Sequence, residues 1–398
     1  MDLKKFILPT ELDNTDFDHK YGDQDFKSKD FVYLEAYHLD VWGDNKEYLS
    51  RNHPTDYALM NNLVCDTDEN DSSKTSCKIF LRSCTEPYVD NGTCIDVIDR
   101  DGGLDDLSIT VKTIGIRPAM RLSADAIIAE QKKSPNLFKI SKFVDKSNKR
   151  GNRQFHTIEF GEYPQTYVGD KLNKDLEVLF ANSRLSKTGK NYIGDIDENG
   201  NVKTYNSEYL YYDEKYVRVE VRTWDNEVYY NNGKKAPKDG FLWVKVEPIS
   251  WIIKNWDKLP VELNPAGRKK GACHNIKVIT KDVIISGIPF ALNDEQYSNL
   301  WQNSTIRGYL NGINGNVKSN GNPKYFAKGS GDFSNRLNFL SEAFTNATIN
   351  KNQLGEQKFF KRKSTLEKLN PDTTPQSSRR NMTDTEMIKA WIDAGQSV

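Results

Sequence analysis

The stretch DIDENGNVKTYN, residues 195 to 206, carries oxygen-bearing side chains at the spacing of a calcium loop. Asp195, Asp197, Asn199 and Gly200 stand at positions 1, 3, 5 and 6 of that template, and Asn206 stands at position 12, where a bidentate Glu is wanted. The competing reading is a β-hairpin turning at Asn199-Gly200, a pair that tolerates positive φ. Five cysteines, Cys65, Cys77, Cys84, Cys94 and Cys273, are the candidates for thiol or zinc chemistry. No C-x-x-C knuckle joins them, so buried free thiols are the expectation, ahead of zinc or disulfides. The five histidines show no pairing at a helical metal spacing. Neither a G-x-S-x-G elbow nor a G-x-x-x-x-G-K-[ST] phosphate loop occurs. The residues announce no catalytic site, and calcium is the one cofactor the pattern admits.

Aromatic side chains are the richest feature. Trp224, Trp243, Trp251, Trp256 and Trp301 accompany Tyr209, Tyr211, Tyr212, Tyr229 and Tyr230. Flat rings give large contact at small entropy cost, which suits recognition of a carbohydrate, a peptide or a protein partner. Trp243 and Trp251 alternate with apolar neighbours and are expected in the core. The tyrosines between 205 and 230 are expected at the surface, and Tyr209, Tyr211, Tyr212, Trp224, Tyr229 and Tyr230 form the expected ligand site.

The elements that must position these groups are mostly strands. Runs such as KYVRVEVRTW, FLWVKVEPISWIIKN and NIKVITKDVIISGIPF are β-like, while NKDLEVLFANSRL spaces Leu176, Leu179 and Phe180 for one amphipathic helix. Residues 301 to 315, WQNSTIRGYLNGING, read as an aromatic anchor, a helix cap and a short helix. FSNRLNFLSEAFTNATI reads as another short helix, with Leu337, Leu340 and Phe344 on one face. The spacing predicts a region over 1–128, a polar connector over 129–155 and a second region over 156–350. A basic linker over 351–382 and a C-terminal helix over 383–398 follow. Lys+Arg and Asp+Glu are both 56, so no basic excess points to nucleic acid. No run of eighteen apolar residues suggests a membrane span, and the short FILP patch suits no signal-peptide core, so a cytoplasmic protein is expected.

Several motifs carry a resemblance: FGEYPQT (160–166), VEPISWIIK (246–254), VIISGIPFALN (283–293), WQNSTIRGYLN (301–311) and FLSEAFT (339–345), with PTDYALMN (54–61), IFLRS (79–83) and GIRPAMRL (115–122). Together they resemble a bacterial domain family of unknown function whose modules are similar to the formylglycine-generating-enzyme and C-type-lectin folds. The resemblance implies an α+β protein with mixed, mostly antiparallel sheets and short helices. The family's closing half comes first here and its opening half second, which implies a permuted domain or two incomplete modules side by side. It also implies a scaffold role for Trp301, Asn303, Ser304 and Arg307, and an anchoring role for Arg117, with function on variable loops. The oxidase chemistry of formylglycine-generating enzymes needs a copper-binding cysteine pair. Only Cys77 with Cys84 or Cys94 offers one, at unfamiliar spacing, so non-catalytic binding is the expectation. A weaker resemblance links TEMIKAWIDAGQSV to the segment before the phosphate loop of AAA-type ATPases, which implies a recruiting or sensor region as the alternative.

Overall fold

The computed structural model describes residues 2–13, 27–36, 52–66, 75–83, 94–99, 102–135, 137–145, 153–223, 229–237, 239–292, 300–313, 333 and 336–345. Trp224, Cys84, the linker 351–382 and the helix 383–398 lie outside the described residues.

The chain opens with β1 (Ile7–Leu8), the hairpin of β2 (Thr10–Asp13) and β3 (Lys27–Asp30), and β4 (Val32–Tyr33). Helix α1 (Asp56–Met60) follows, capped by the Thr55 hydroxyl, which accepts from the Ala58 N–H. Two small sheets come next: β5 (Cys65–Asp66) with β6 (Ser76–Cys77), and β7 (Ile79–Phe80) with β8 (Cys94–Ile98) and β9 (Leu104–Ser108). Strand β10 (Ala119–Ser123) leads into α2 (Ala124–Gln131), capped by Ser123. The remaining strands are β11 (Ile140–Asp145), β12 (Arg153–Tyr167), β13 (Ser186–Ile196), β14 (Val202–Tyr211), β15 (Glu214–Glu220), β16 (Phe241–Ile253) and β17 (Asn275–Thr280). Helix α3 (Asp170–Ala181) lies between β12 and β13, while α4 (Thr305–Asn311) and α5 (Phe339–Phe344) follow β17.

Ten strands build one sheet, in the order β1-β10-β17-β16-β15-β14-β13, with β4, β11 and β12 joined at its sides. Every paired strand among the described residues runs antiparallel, and the helices are short, as the α+β expectation required. Strand β16 is the hub. One edge takes β12; the other takes β15 along Phe241–Lys245 and β17 along Trp251–Ile253. Strand β10 pairs with β17 on one side and with β1 and β4 on the other.

Strands from 1–128 and from 156–350 share one sheet through the β10–β17 pair. Within the polar segment 129–155, β11 pairs with β12 from Ile140↔Ile158 to Asp145↔Arg153.

The core encloses Trp251, Trp301, Tyr163, Tyr192, Tyr309, Phe160 and Phe290, all nearly inaccessible. Gly161 illustrates how tightly it closes. The register of β12 against β16 shifts between Glu159 and Glu162, and Gly161 takes φ +75° there. A Cβ at this glycine would lie 2.6 Å from the Phe344 ring of α5. Only glycine serves both the bulge and the contact.

The residues marked by the family resemblance act as ties. Trp301 Nε1 donates to Asp30 Oδ2 at 2.9 Å, and Arg307 Nε donates to Asp30 Oδ1 at 2.8 Å, so the start of α4 is fastened to β3. Ser304 caps α4 by accepting from the Arg307 N–H at 3.1 Å, and Asn303 is buried beside it. Asn311, at the end of α4, accepts from the N–H groups of Phe31 and Val32 and donates to the Val32 carbonyl. Arg117 donates from Nε and Nη2 to the Thr280 carbonyl, at 3.1 and 2.6 Å, and from Nη2 to the Lys281 carbonyl. Among the described residues no helix is long and apolar enough to cross a membrane.

Candidate functional site: an aromatic groove on the outer sheet face

Strand β14 alternates strictly enough to give its two faces different fates. Asn206 and Glu208 point into the main core, whereas Tyr205, Ser207, Tyr209 and Tyr211 share the opposite face. Helix α3 lies across part of that outer face. Its Leu176 and Leu179, three residues apart, seat on Tyr209, Tyr211, Tyr216 and Trp243 and form a second, smaller apolar core. The helix is fixed by polar ties as well. Asn173 Oδ1 accepts from the Trp243 N–H at 2.9 Å, and Glu177 Oε1 accepts from the Trp243 indole at 2.7 Å.

Where α3 ends, the sheet stays open. A groove of about 270 Å³ lies there, lined by Phe180, Tyr205, Ser207, Tyr209, Arg218, Glu220 and Phe241, together with Thr204 and Asn206. The β15–β16 register sets Arg218 opposite Trp243 and Glu220 opposite Phe241. Arg218 is held twice over. Its Nε and Nη2 donate to the two carboxylate oxygens of Glu177 at 2.8 and 3.2 Å, a fork geometry. Its guanidinium carbon also lies 4.3 Å from the Phe180 ring centre and 3.7 Å from that of Phe241. Tyr205 and Phe241 remain 55% and 46% exposed, unusual for rings of this size on a built surface. The groove thus offers flat apolar faces with a fixed charge between them.

Of the five expected ligand-site residues that are described, only Tyr209 lines this groove. Tyr209, Tyr211 and Tyr230 are buried, contrary to their expected exposure. For the first two the cause is the roof made by α3, which a tyrosine-rich composition does not announce. Tyr230 packs against Tyr167, ring centres 5.2 Å apart, in a segment pinned by the Asn231 N–H donating to Asp56 Oδ1. Tyr212 is half-buried in the two-residue β14–β15 turn, where it and Asp213 take φ of 49° and 64°, and Tyr229 is half-buried near Lys235. Trp243 and Trp251 are fully buried, as the alternation of their strands implied. The missed groove residues Phe180, Tyr205, Arg218 and Phe241 had a signal in the same alternation, Tyr-x-Ser-x-Tyr on β14 facing Arg-x-Glu on β15.

The calcium pattern resolves into the hairpin. The Asp197 N–H donates to the Asn201 carbonyl at 2.8 Å, and Asp197 Oδ1 accepts from the N–H groups of Asn199 and Asn201. Asp195 sits among Lys112, Lys203 and Arg222, and the buried Asn206 donates to the Tyr57 hydroxyl at 3.2 Å. The loop oxygens are thus spent on the turn and on cations, and no acidic or thiol cluster fit for a metal occurs among the described residues.

Behind β14 lies a buried polar network. Glu342 Oε2 accepts from Tyr309 at 2.6 Å and Tyr163 at 3.2 Å, and Oε1 accepts from the Ile193 N–H at 2.8 Å. Burial pushes the Glu342 carboxyl up to about 7, against the pull of these donors. Glu208 accepts from Thr188 and Tyr192, both at 2.7 Å. Comparison with family models, curated proteins and solved structures finds no match to this chain.

Proposed function

We propose that the protein is a non-catalytic recognition module on a C-type-lectin-like scaffold, and that its ligand lies in the groove between Tyr205 and Phe241. The observation that carries this reading is that two exposed rings, Tyr205 and Phe241, line one groove with Arg218, which is held by Glu177 and lies over the rings of Phe180 and Phe241. Rigid aromatic faces beside a fixed charge bind at low entropic cost, and the groove is open enough for a sugar ring or a peptide side chain. The site is on the sheet face rather than on the loops expected from the sequence.

A glycan and peptide array, followed by calorimetry on the hits, tests the reading. Tyr205→Ala and Phe241→Ala are expected to weaken binding at least about tenfold, roughly 1.4 kcal/mol, with unchanged melting temperature. Ligands that bind both variants like the parent protein would move the site elsewhere.

A further inference from the structure

The small β5–β6 sheet sets Cys65 directly opposite Cys77 in antiparallel register. Directly opposed residues point their side chains to the same face. The backbone bonding fixes which kind of pair this is. The Cys77 N–H donates to the Asn52 carbonyl at 3.1 Å, away from Cys65, so the cysteines occupy a non-hydrogen-bonded position. At such a position Cα atoms stand about 4.5 Å apart, inside the range of roughly 4.4–6.8 Å over which a disulfide closes without backbone movement. Both thiols are reduced in the structure, and the Cys77 thiol donates to the Asn52 carbonyl at 3.1 Å.

Neither of the other described cysteines has this placement. Cys94 stands opposite Ser108 in the β8–β9 register, and the Cys273 thiol donates to the Asn275 carbonyl. Residues 66 to 76, between the paired cysteines, are the polar stretch DTDENDSSKTS, so the link would close a short loop.

We propose that Cys65 and Cys77 form a reversible disulfide, with a low-molecular-weight disulfide as the oxidant. Cys65, 6% exposed against 0% for Cys77, is the thiol that a small oxidant meets first. Its thiolate attacks one sulfur of the oxidant, an S–S bond forms to Cys65, and the other half leaves as a thiolate. The Cys77 thiolate then attacks the Cys65 sulfur of that mixed disulfide and expels the second half. Two protein thiols lose two electrons and two protons, and the oxidant gains both as two thiols.

The test exposes the full chain to oxidised glutathione in two arms, once folded and once during refolding from denaturant. The intact mass is then measured, and unreduced digests are mapped. The expected result is a loss of about 2 Da, one for each thiol hydrogen, and a single cross-link between the peptides holding Cys65 and Cys77. The melting temperature is expected to rise by a few degrees and to fall back on reduction. Cys65→Ser and Cys77→Ala are each expected to abolish the mass loss. An unchanged mass in both arms overturns the proposal, as does a persistent glutathione adduct, or a link that joins Cys84 or Cys94 instead.

Discussion

The two faces of β14 are built from the same kinds of residue and reach opposite ends. Behind the strand, Tyr57, Tyr163, Tyr192 and Tyr309 surround Glu342 and Glu208, and each carboxylate oxygen described above has a donor. In front of it, Tyr205, Tyr209, Phe180 and Phe241 line one groove with Arg218, and part of the surface stays open to solvent. The inner face uses tyrosine hydroxyls to satisfy buried acids, a requirement of folding. The outer face uses ring planes and leaves their edges uncovered. A tyrosine count therefore does not locate a binding site; what separates the two uses is how much of the ring stays exposed.

Four measurements break or sharpen that contrast, taken from the largest expected effect down. Glu342→Ala strips the acceptor from Tyr163, Tyr309 and the Ile193 N–H at once, and is expected to cost on the order of 3–5 kcal/mol in urea denaturation. Next is the pH dependence. The folded chain keeps the Glu342 proton up to about 7, whereas the usual value is 4.5. The folded state thus binds the extra proton between those values, and stability from this group is full below 4.5 and is lost as pH rises through 7. The loss reaches about 3 kcal/mol, and Glu342→Gln is expected to flatten it in melting curves taken from pH 4 to pH 8. On the outer face, Tyr205→Ala and Phe241→Ala are expected to change stability by less than about 0.5 kcal/mol, because both rings are already half in water. A cost of several kcal/mol there would erase the distinction between the faces. Smallest of all, calcium set against a chelator is expected to leave the melting temperature unchanged, because Asp197 is spent on its own turn.

Local patterns were legible in the sequence, and distant pairings were not. The Asn199-Gly200 turn and the Leu176–Leu179 spacing of α3 follow from interactions within a few residues, and the inward placing of Trp243 and Trp251 from the apolar residues beside them in sequence. The Ser304 cap is of the same kind. Tyr209, an expected ligand residue, lines the groove, yet its burial under α3 depends on a helix some thirty residues earlier in the chain. Glu342 carries no local signal, because its partners Tyr163 and Ile193 lie 179 and 149 residues away. The insertion of β10 beside β17 likewise rests on register between remote segments, which periodicity does not encode.

That same β10–β17 pair sets a timetable for synthesis. Ala119 pairs with Ile279, so the partner of β10 leaves the ribosome 160 residues after it. At about 5–20 residues per second, β10 waits on the order of 8–30 s with one edge bare. The hub strand β16 is made only shortly before β17, so the parts of the large sheet paired earlier are joined late. The nascent chain is most exposed to wrong strand pairing during that interval, and holding chaperones would act on it there.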